Sequence, residues 1–209
     1  MSESPAVALN HARKARDEVL GELREFLSIP SVSSNPKGHD DIKRATEWLS
    51  ERFRALGLTR VEVLPTAGHP AVYGETLSAG PSAPTVLMYG HYDVQSAAPL
   101  GDWDSDPYRP VVRGDNLYAR GSADNKGQIM ACVAAVQAVM RAGSLPVNVK
   151  FVIEGEEELG SPSFASLLEE HRDLLTGDFV LNPDAGMLGP ETPTIYYGLR
   201  GMYVCKLRV

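Results

Sequence analysis

"VNVKFVIEGEEELGS", residues 147–161, sets an apolar run against a crowd of carboxylates. The run of valines, phenylalanine and isoleucine reads as a strand. Directly behind it, Glu154, Glu156, Glu157 and Glu158 fall within five positions. Like charges this close repel, and burial raises the cost further. A solvated turn can hold such a run. So can a site that receives positive charge from outside, such as a bound metal. Working outward, three other apolar runs end in the same way. "TVLMYG" (85–90) is followed by His91 and Asp93, "LYARGSA" (117–123) by Asp124, and "DFVLN" (178–182) by Asp184.

The elements between these runs alternate. Amphipathic spacing predicts a helix over 10–27, a second over 40–56 stopping at Gly57, a third over 126–142 and a short one over 163–171. "RVEVL", "PAVYGE", "TVLMYG", "VNVKFVI" and "DFVLN" read as strands, and "VVRGDNLYAR" as a hairpin turning at Gly114–Asp115. Strands alternating with helices give an α/β layered fold. In open sheets of this kind, ligands bind outside the carboxyl ends of the strands. Four polar clusters at that edge converge on a His, Asp, Glu, Asp set that suits hard or borderline divalent metals.

Each residue also has a plain structural role open to it. His91 can be a hydrogen-bonded histidine at a strand end. Asp124 can cap the helix that begins near Lys126, and Asp184 suits a turn. The adjacent Glu157 and Glu158 weigh against those roles. One of them can face a metal while the other holds a water as general base. Asp93 can accept a hydrogen bond from the His91 ring nitrogen that faces away from a metal, fixing the tautomer. Glu154 and Glu156 read as charge-balancing neighbours.

Composition narrows the function. The 209 residues carry a net charge of −7, with 43% apolar and 22% charged residues. That balance argues against a nucleic-acid or anionic-membrane surface. No apolar run approaches a membrane span of about 18 residues, and the N-terminus lacks an apolar signal core, so a cytoplasmic location is expected. The two cysteines, Cys132 and Cys205, form no disulfide framework and are expected to be buried apolar residues. A nucleotide-binding reading is weak, because no glycine-rich phosphate loop follows a strand.

"MYGHYDVQ" (88–95), "DPYRPVVRGDNLYARGSADNKGQ" (106–128), "VIEGEEELGS" (152–161), "NPDAGM" (182–187) and "YYGLRG" (196–201) together resemble a known family. It is the dinuclear zinc metallopeptidases, which include carnosine-type cytosolic dipeptidases, aminoacylase, acetylornithine deacetylase, succinyl-diaminopimelate desuccinylase and glutamate carboxypeptidase. "GHYDVQ" and "YGLRG" are most similar to the dipeptidase branch. The resemblance implies a three-layer α/β sandwich, a central mixed sheet with helices on both faces, incomplete at the C-terminus. It implies that His91 and Asp184 bind one zinc, Asp124 bridges two, Glu158 binds the second, Glu157 is the general acid/base and Asp93 orients His91. It also implies a cis bond between Asp124 and Asn125.

The family's last zinc ligand is a late histidine beyond an inserted lid that mediates dimerisation, and His11, His39, His69 and His171 match no ligand motif. The resemblance therefore implies a catalytic domain over 1–196 and, over 197–209, the first strand entering a lid. The tail "TIYYGLRGMYVCKLRV" contains two strand-like runs joined at Gly201, and the chain ends inside the second. A longer parent enzyme is expected, a homodimer through its lid with two zincs (manganese or cobalt as alternatives). This chain is expected to hold one ion well and to have little turnover. The expected activity is hydrolysis of dipeptides or short peptides. N-acyl amino acid deacylation or carboxypeptidase action is the alternative within enzymes, and a non-catalytic metal-binding or interaction module the alternative outside them.

Overall fold

The computed structural model describes residues 5–189, 191–203 and 205–208. A five-stranded sheet organises them. Its strands are β1 (Arg60–Leu64), β2 (Ala71–Thr76), β3 (Thr85–His91), β6 (Asn148–Glu154) and β7 (Phe179–Leu181), in the order β1-β2-β6-β3-β7. A separate ribbon pairs β4 (Val111–Arg113) with β5 (Asn116–Tyr118), the hairpin expected at Gly114–Asp115. β3 runs parallel to both β6 and β7, while β2 is antiparallel to β1 and β6. The sheet is thus mixed, and its three parallel strands end at one edge.

β6 is the middle strand and is buried along its whole length. Its alternate residues serve two cores, as the period of two requires. Val149, Phe151 and Ile153 face one core with Phe53, Leu49, Ile129 and Val133 from α3 (His39–Leu56) and α4 (Lys126–Ala142). Val152 faces the other with Tyr73, Leu87 and Leu167, the last from α5 (Phe164–Glu170). Helices therefore cover both faces of the sheet, the layered arrangement anticipated from the sequence. Phe53 and Phe151 meet at 4.9 Å between ring centres; truncating such a buried phenylalanine to alanine typically costs about 3–5 kcal/mol.

The helix expected over 10–27 is two helices, α1 (Pro5–Lys14) and α2 (Arg16–Leu27). Hydrogen bonds from Ala15 N–H to His11 and from Val19 N–H to Ala15 carry the chain through the bend. No proline or glycine marks it. The bend lets α1 lie on α4 while α2 reaches α3 as well as α4. Arg52 of α3 ties this corner together: it donates to Glu22 of α2 at 2.9 Å and to Gln137 of α4.

The tail departs from expectation. Residues 193–203 and 205–208 form no strand, although their apolar alternation suits one; Val204 and Val209 of that expected strand lie outside the described residues. A strand needs a neighbour for its main-chain groups, and among the described residues none pairs with this segment. Cys205, expected to be buried, is consequently exposed, and Cys132 is half-buried on α4. Among the described residues β7 pairs on one side only, with Phe179 63% and Val180 68% exposed.

Candidate metal centre

The parallel strands β3, β6 and β7 deliver their polar clusters to the same edge. His91 closes β3 and is fully buried. Beyond it the chain stays extended: Tyr92 N–H donates to the Glu154 carbonyl at 2.8 Å, and Val94 N–H to the Ser31 carbonyl at 2.9 Å. Alternation then sorts the residues. Tyr92 and Val94 turn into the interior, while His91 and Asp93 meet the other acidic segments. Asp124 arrives differently from what its apolar run suggested. β5 belongs to the separate ribbon, so Asp124 stands not at a sheet-strand end but just before α4. The N-cap of α4 is Asn125, without a side-chain cap, so Asp124 does not serve as the cap.

His91 Nε2 lies 3.0 Å from Asp124 Oδ1, 3.4 Å from Asp184 Oδ2 and 3.8 Å from Glu157 Oε2. His91, Asp124 and Asp184 each offer a ligand atom within 4.8 Å of the others. The opposite ring nitrogen, Nδ1, faces only acceptors: the Asp93 carbonyl at 3.0 Å and Asp93 Oδ1 at 3.3 Å. Nδ1 therefore carries a hydrogen. In the neutral ring Nε2 is then a lone pair directed at carboxylate oxygens, and acceptor faces acceptor. The arrangement requires a cation at Nε2, either a proton or a metal. Burial disfavours the imidazolium, but Asp93, Asp184 and Glu157 outweigh that and raise His91 to about 9 in the metal-free chain. The nitrogen and carboxylate donors fit a divalent ion such as zinc.

Asp93 does more than face the ring. Its buried carboxylate accepts the N–H of Glu157 at 3.2 Å on Oδ1 and that of Glu158 at 3.1 Å on Oδ2. It thereby fixes the short 3-10 turn Glu157–Leu159 against the end of β3. Gly160 follows with φ of +83°, a left-handed conformation in which glycine has no Cβ penalty. Burial, with Glu158, Asp184 and Asp93 nearby, raises Glu157 above the usual carboxylate range, although His91 pulls it the other way. A carboxylate whose proton affinity is raised in this way is a better proton acceptor than a free one. Glu158 sits on the same turn, and its Oε2 accepts from Gln95 Nε2 at 2.7 Å. It is outside the three-residue group around His91.

Glu154 is not a ligand in this arrangement; its Oε1 accepts from Tyr89 and Ser161 hydroxyls, both at 2.8 Å. The peptide bond from Asp124 to Asn125 is cis, as the resemblance implied. Asn125 Oδ1 accepts the His91 N–H at 3.2 Å, and a Cβ on Gly90 would stand 2.6 Å from that oxygen. Glycine at position 90 therefore admits Asn125, and with it Asp124, against β3.

The sequence profile of Peptidase family M20/M25/M40 matches residues 87–196, the span that carries all of these side chains. The chain belongs to this family. The Beta-Ala-His dipeptidase of Homo sapiens is 34% identical over 200 residues, which are 89% of this chain and 39% of that protein. The solved structure of the di-peptidase Dug1p from Saccharomyces cerevisiae superposes with a TM-score of 0.86 at 27% identity, over 95% of this chain and 44% of that one. An M20 family metallo-carboxypeptidase from Sulfolobus solfataricus gives a TM-score of 0.75 at 37% identity, over 81% and 38% of the two chains. The chain spans less than half the length of each of these relatives.

The acidic residues are conspicuous in the sequence, whereas three residues that brace the site are not: Gln95, Asn125 and Lys126. Gln95 was legible in principle, because it continues the alternation of His91 and Asp93. Asn125 is hidden behind the more conspicuous Asp124. Lys126, fully buried, donates from Nζ to the carbonyls of Phe26 at 3.0 Å and Ile29 at 2.7 Å. It anchors the start of α4 to the end of α2, and no pattern in the sequence announces that.

Proposed function

We propose that this chain forms the metal-holding part of a metal-dependent hydrolase that cleaves the amide bond of dipeptides or short peptides. The observation that carries the reading is the His91 ring: its Nδ1 is committed to Asp93, and its Nε2 faces the carboxylates of Asp124, Asp184 and Glu157. His91, Asp124 and Asp184 would hold one ion, and Asp124 and Glu158 a second, weaker one; zinc suits the donors best. A bound divalent ion supplies Lewis acidity that polarises the substrate carbonyl and makes a water acidic enough to lose its proton near neutrality. Glu157 takes that proton as the water attacks the amide carbon. The same carboxyl then returns the proton to the departing amine. Asp93 keeps the imidazole in one tautomer throughout.

The dipeptidase relatives support the substrate class, and they do not favour a purely non-catalytic role. The 37% identity to the Sulfolobus solfataricus carboxypeptidase favours a second reading, removal of a C-terminal residue from longer peptides. Low cysteine content supports a cytoplasmic location, and the entry into a lid over 197–209, with pairing of chains through that lid, rests on the family resemblance. Metal analysis should find one tightly held ion per chain, and titration a second that binds more weakly. Glu157→Gln should retain that metal and lose turnover in the assembled enzyme; near-normal hydrolysis by this variant would refute the role. Parallel assays on dipeptides, longer peptides and N-acetyl amino acids separate the dipeptidase, carboxypeptidase and deacylase readings.

A further inference from the structure

The stretch His91–Gln95 runs extended past the end of β3, so its odd-numbered side chains share one side. His91 and Asp93, the first two, face the carboxylates of Asp124 and Asp184 and the turn at Glu157. Gln95 is the third member of the series, and its amide reaches the remaining acid. Nε2 lies 2.7 Å from Glu158 Oε2 and 3.4 Å from the Glu158 carbonyl. Both partners are acceptors, so the amide must present its NH2 here rather than its oxygen. Glu158 is thus held at two points by one strand. Its main-chain N–H is fixed by Asp93 Oδ2, and its carboxylate by Gln95.

We infer that Gln95 is the positioning residue for Glu158, holding one carboxylate oxygen so that the other is presented to a second cation; this rests on the reading of Glu158 as a ligand. The chemistry is that of an outer-sphere donor. A glutamate on a turn samples several rotamers and loses that freedom when it binds an ion. An amide donor that already restricts it removes part of the cost in advance. The same donor leaves Oε1 available, because the bond uses Oε2 alone. Gln95 is exposed, and its side-chain bonds to the described residues go to Glu158, so its replacement leaves the core packing in place.

The test is titration of the metal-free chain with Co2+ alone, followed by visible absorption into the millimolar range, for the native protein and for Gln95→Met and Glu158→Gln. Methionine keeps the length of the side chain and removes the donor. The first equivalent, at His91, Asp124 and Asp184, should bind equally in all three. The second should weaken about 10–100-fold in Gln95→Met, the usual effect of removing an outer-sphere partner, with an altered band for that site and an unchanged thermal midpoint of the metal-free protein. Glu158→Gln should lose the second equivalent. A second equivalent lost in Glu158→Gln but as tight or tighter in Gln95→Met overturns the assignment of Gln95 alone. A second equivalent that is missing from the native protein, or that survives in Glu158→Gln, overturns the reading of Glu158 as a ligand.

Discussion

Replacing Asp93 by asparagine separates two roles that a single carboxylate combines here. The residue is fully buried, accepts the main-chain N–H groups of Glu157 and Glu158 at 3.2 and 3.1 Å, and faces His91 Nδ1 at 3.3 Å. Asparagine matches it in volume, so packing is preserved. One amide oxygen can still accept, but the amide NH2 must then face a main-chain N–H, donor against donor. Hydrogen bonds to a charged acceptor contribute roughly 1.5–3 kcal/mol each, and neutral ones about 1. Losing one charged bond and weakening the other to a neutral one gives a loss of about 3 kcal/mol. For a chain of this size that corresponds to a fall of about 6–12 °C in melting temperature. Urea unfolding with a chelator present measures the loss without any contribution from metal. Competition with a chromogenic chelator should show zinc affinity reduced at least about 10-fold as well, because the tautomer of His91 is no longer held by a carboxylate. A variant within about 0.5 kcal/mol of the native protein would show that Asp93 does not hold the turn. Glu157 and Glu158 would then owe their positions to other contacts.

Gly90→Ala should weaken zinc binding and cost about 1–3 kcal/mol in urea unfolding, because the new Cβ would sit 2.6 Å from Asn125 Oδ1 and 2.9 Å from Ile129 Cγ1. Lys126→Met should lower stability by about 2 kcal/mol or more, since the buried carbonyls of Phe26 and Ile29 lose their ammonium donor; a more stable variant would show that burying the charge outweighs those bonds. Burial raises Glu154 above the ordinary carboxylate range, even though Tyr89 and Ser161 donate to it. The folded chain therefore keeps a proton that the unfolded chain has released. The stability linked to this group is fully present below the ordinary carboxylate value and is lost as pH rises through the raised one. Glu154→Gln should flatten that decline in a series of urea melts from pH 4 to 8, and an unchanged slope would assign the decline elsewhere.

The sequence announced the edge of the sheet better than the sheet itself. Each of the parallel strands β3, β6 and β7 ends in a polar residue cluster. An apolar run that stops abruptly at charge is visible without coordinates. Strand order is not visible in that way. Nothing local says that β6 lies between β2 and β3, because that neighbourhood is fixed by packing between residues far apart, such as Phe53 with Phe151. The bend at Ala15 is similarly hidden, since hydrogen bonds run through it and only the packing of α1 and α2 on different partners requires it. In the tail the sequence showed strand-like alternation, but alternation states only that a segment has two unlike faces. Without a neighbouring strand to satisfy its main chain, the described part of that segment forms none.

The acidic crowding behind β6 resolves into a division of labour. Glu154 points back into the protein, where two hydroxyls satisfy it. Glu157 faces His91, and Glu158 faces Gln95. Two adjacent residues on a 3-10 turn necessarily point in different directions, so one turn can present a base and a ligand without placing both on the same atom. The remaining repulsion falls on the cluster of Asp124, Asp184 and Glu157 around one imidazole nitrogen. A solvated turn would not need this, because its carboxylates would separate into water. Here β3, β7 and the start of α4 hold them together, and each is anchored by contacts outside the cluster: Asn125 to the His91 N–H, Lys126 to the end of α2, and β7 to β3. The scaffold therefore maintains an acidic pocket that is unfavourable by itself, and a bound cation is the physical condition under which that geometry is stable.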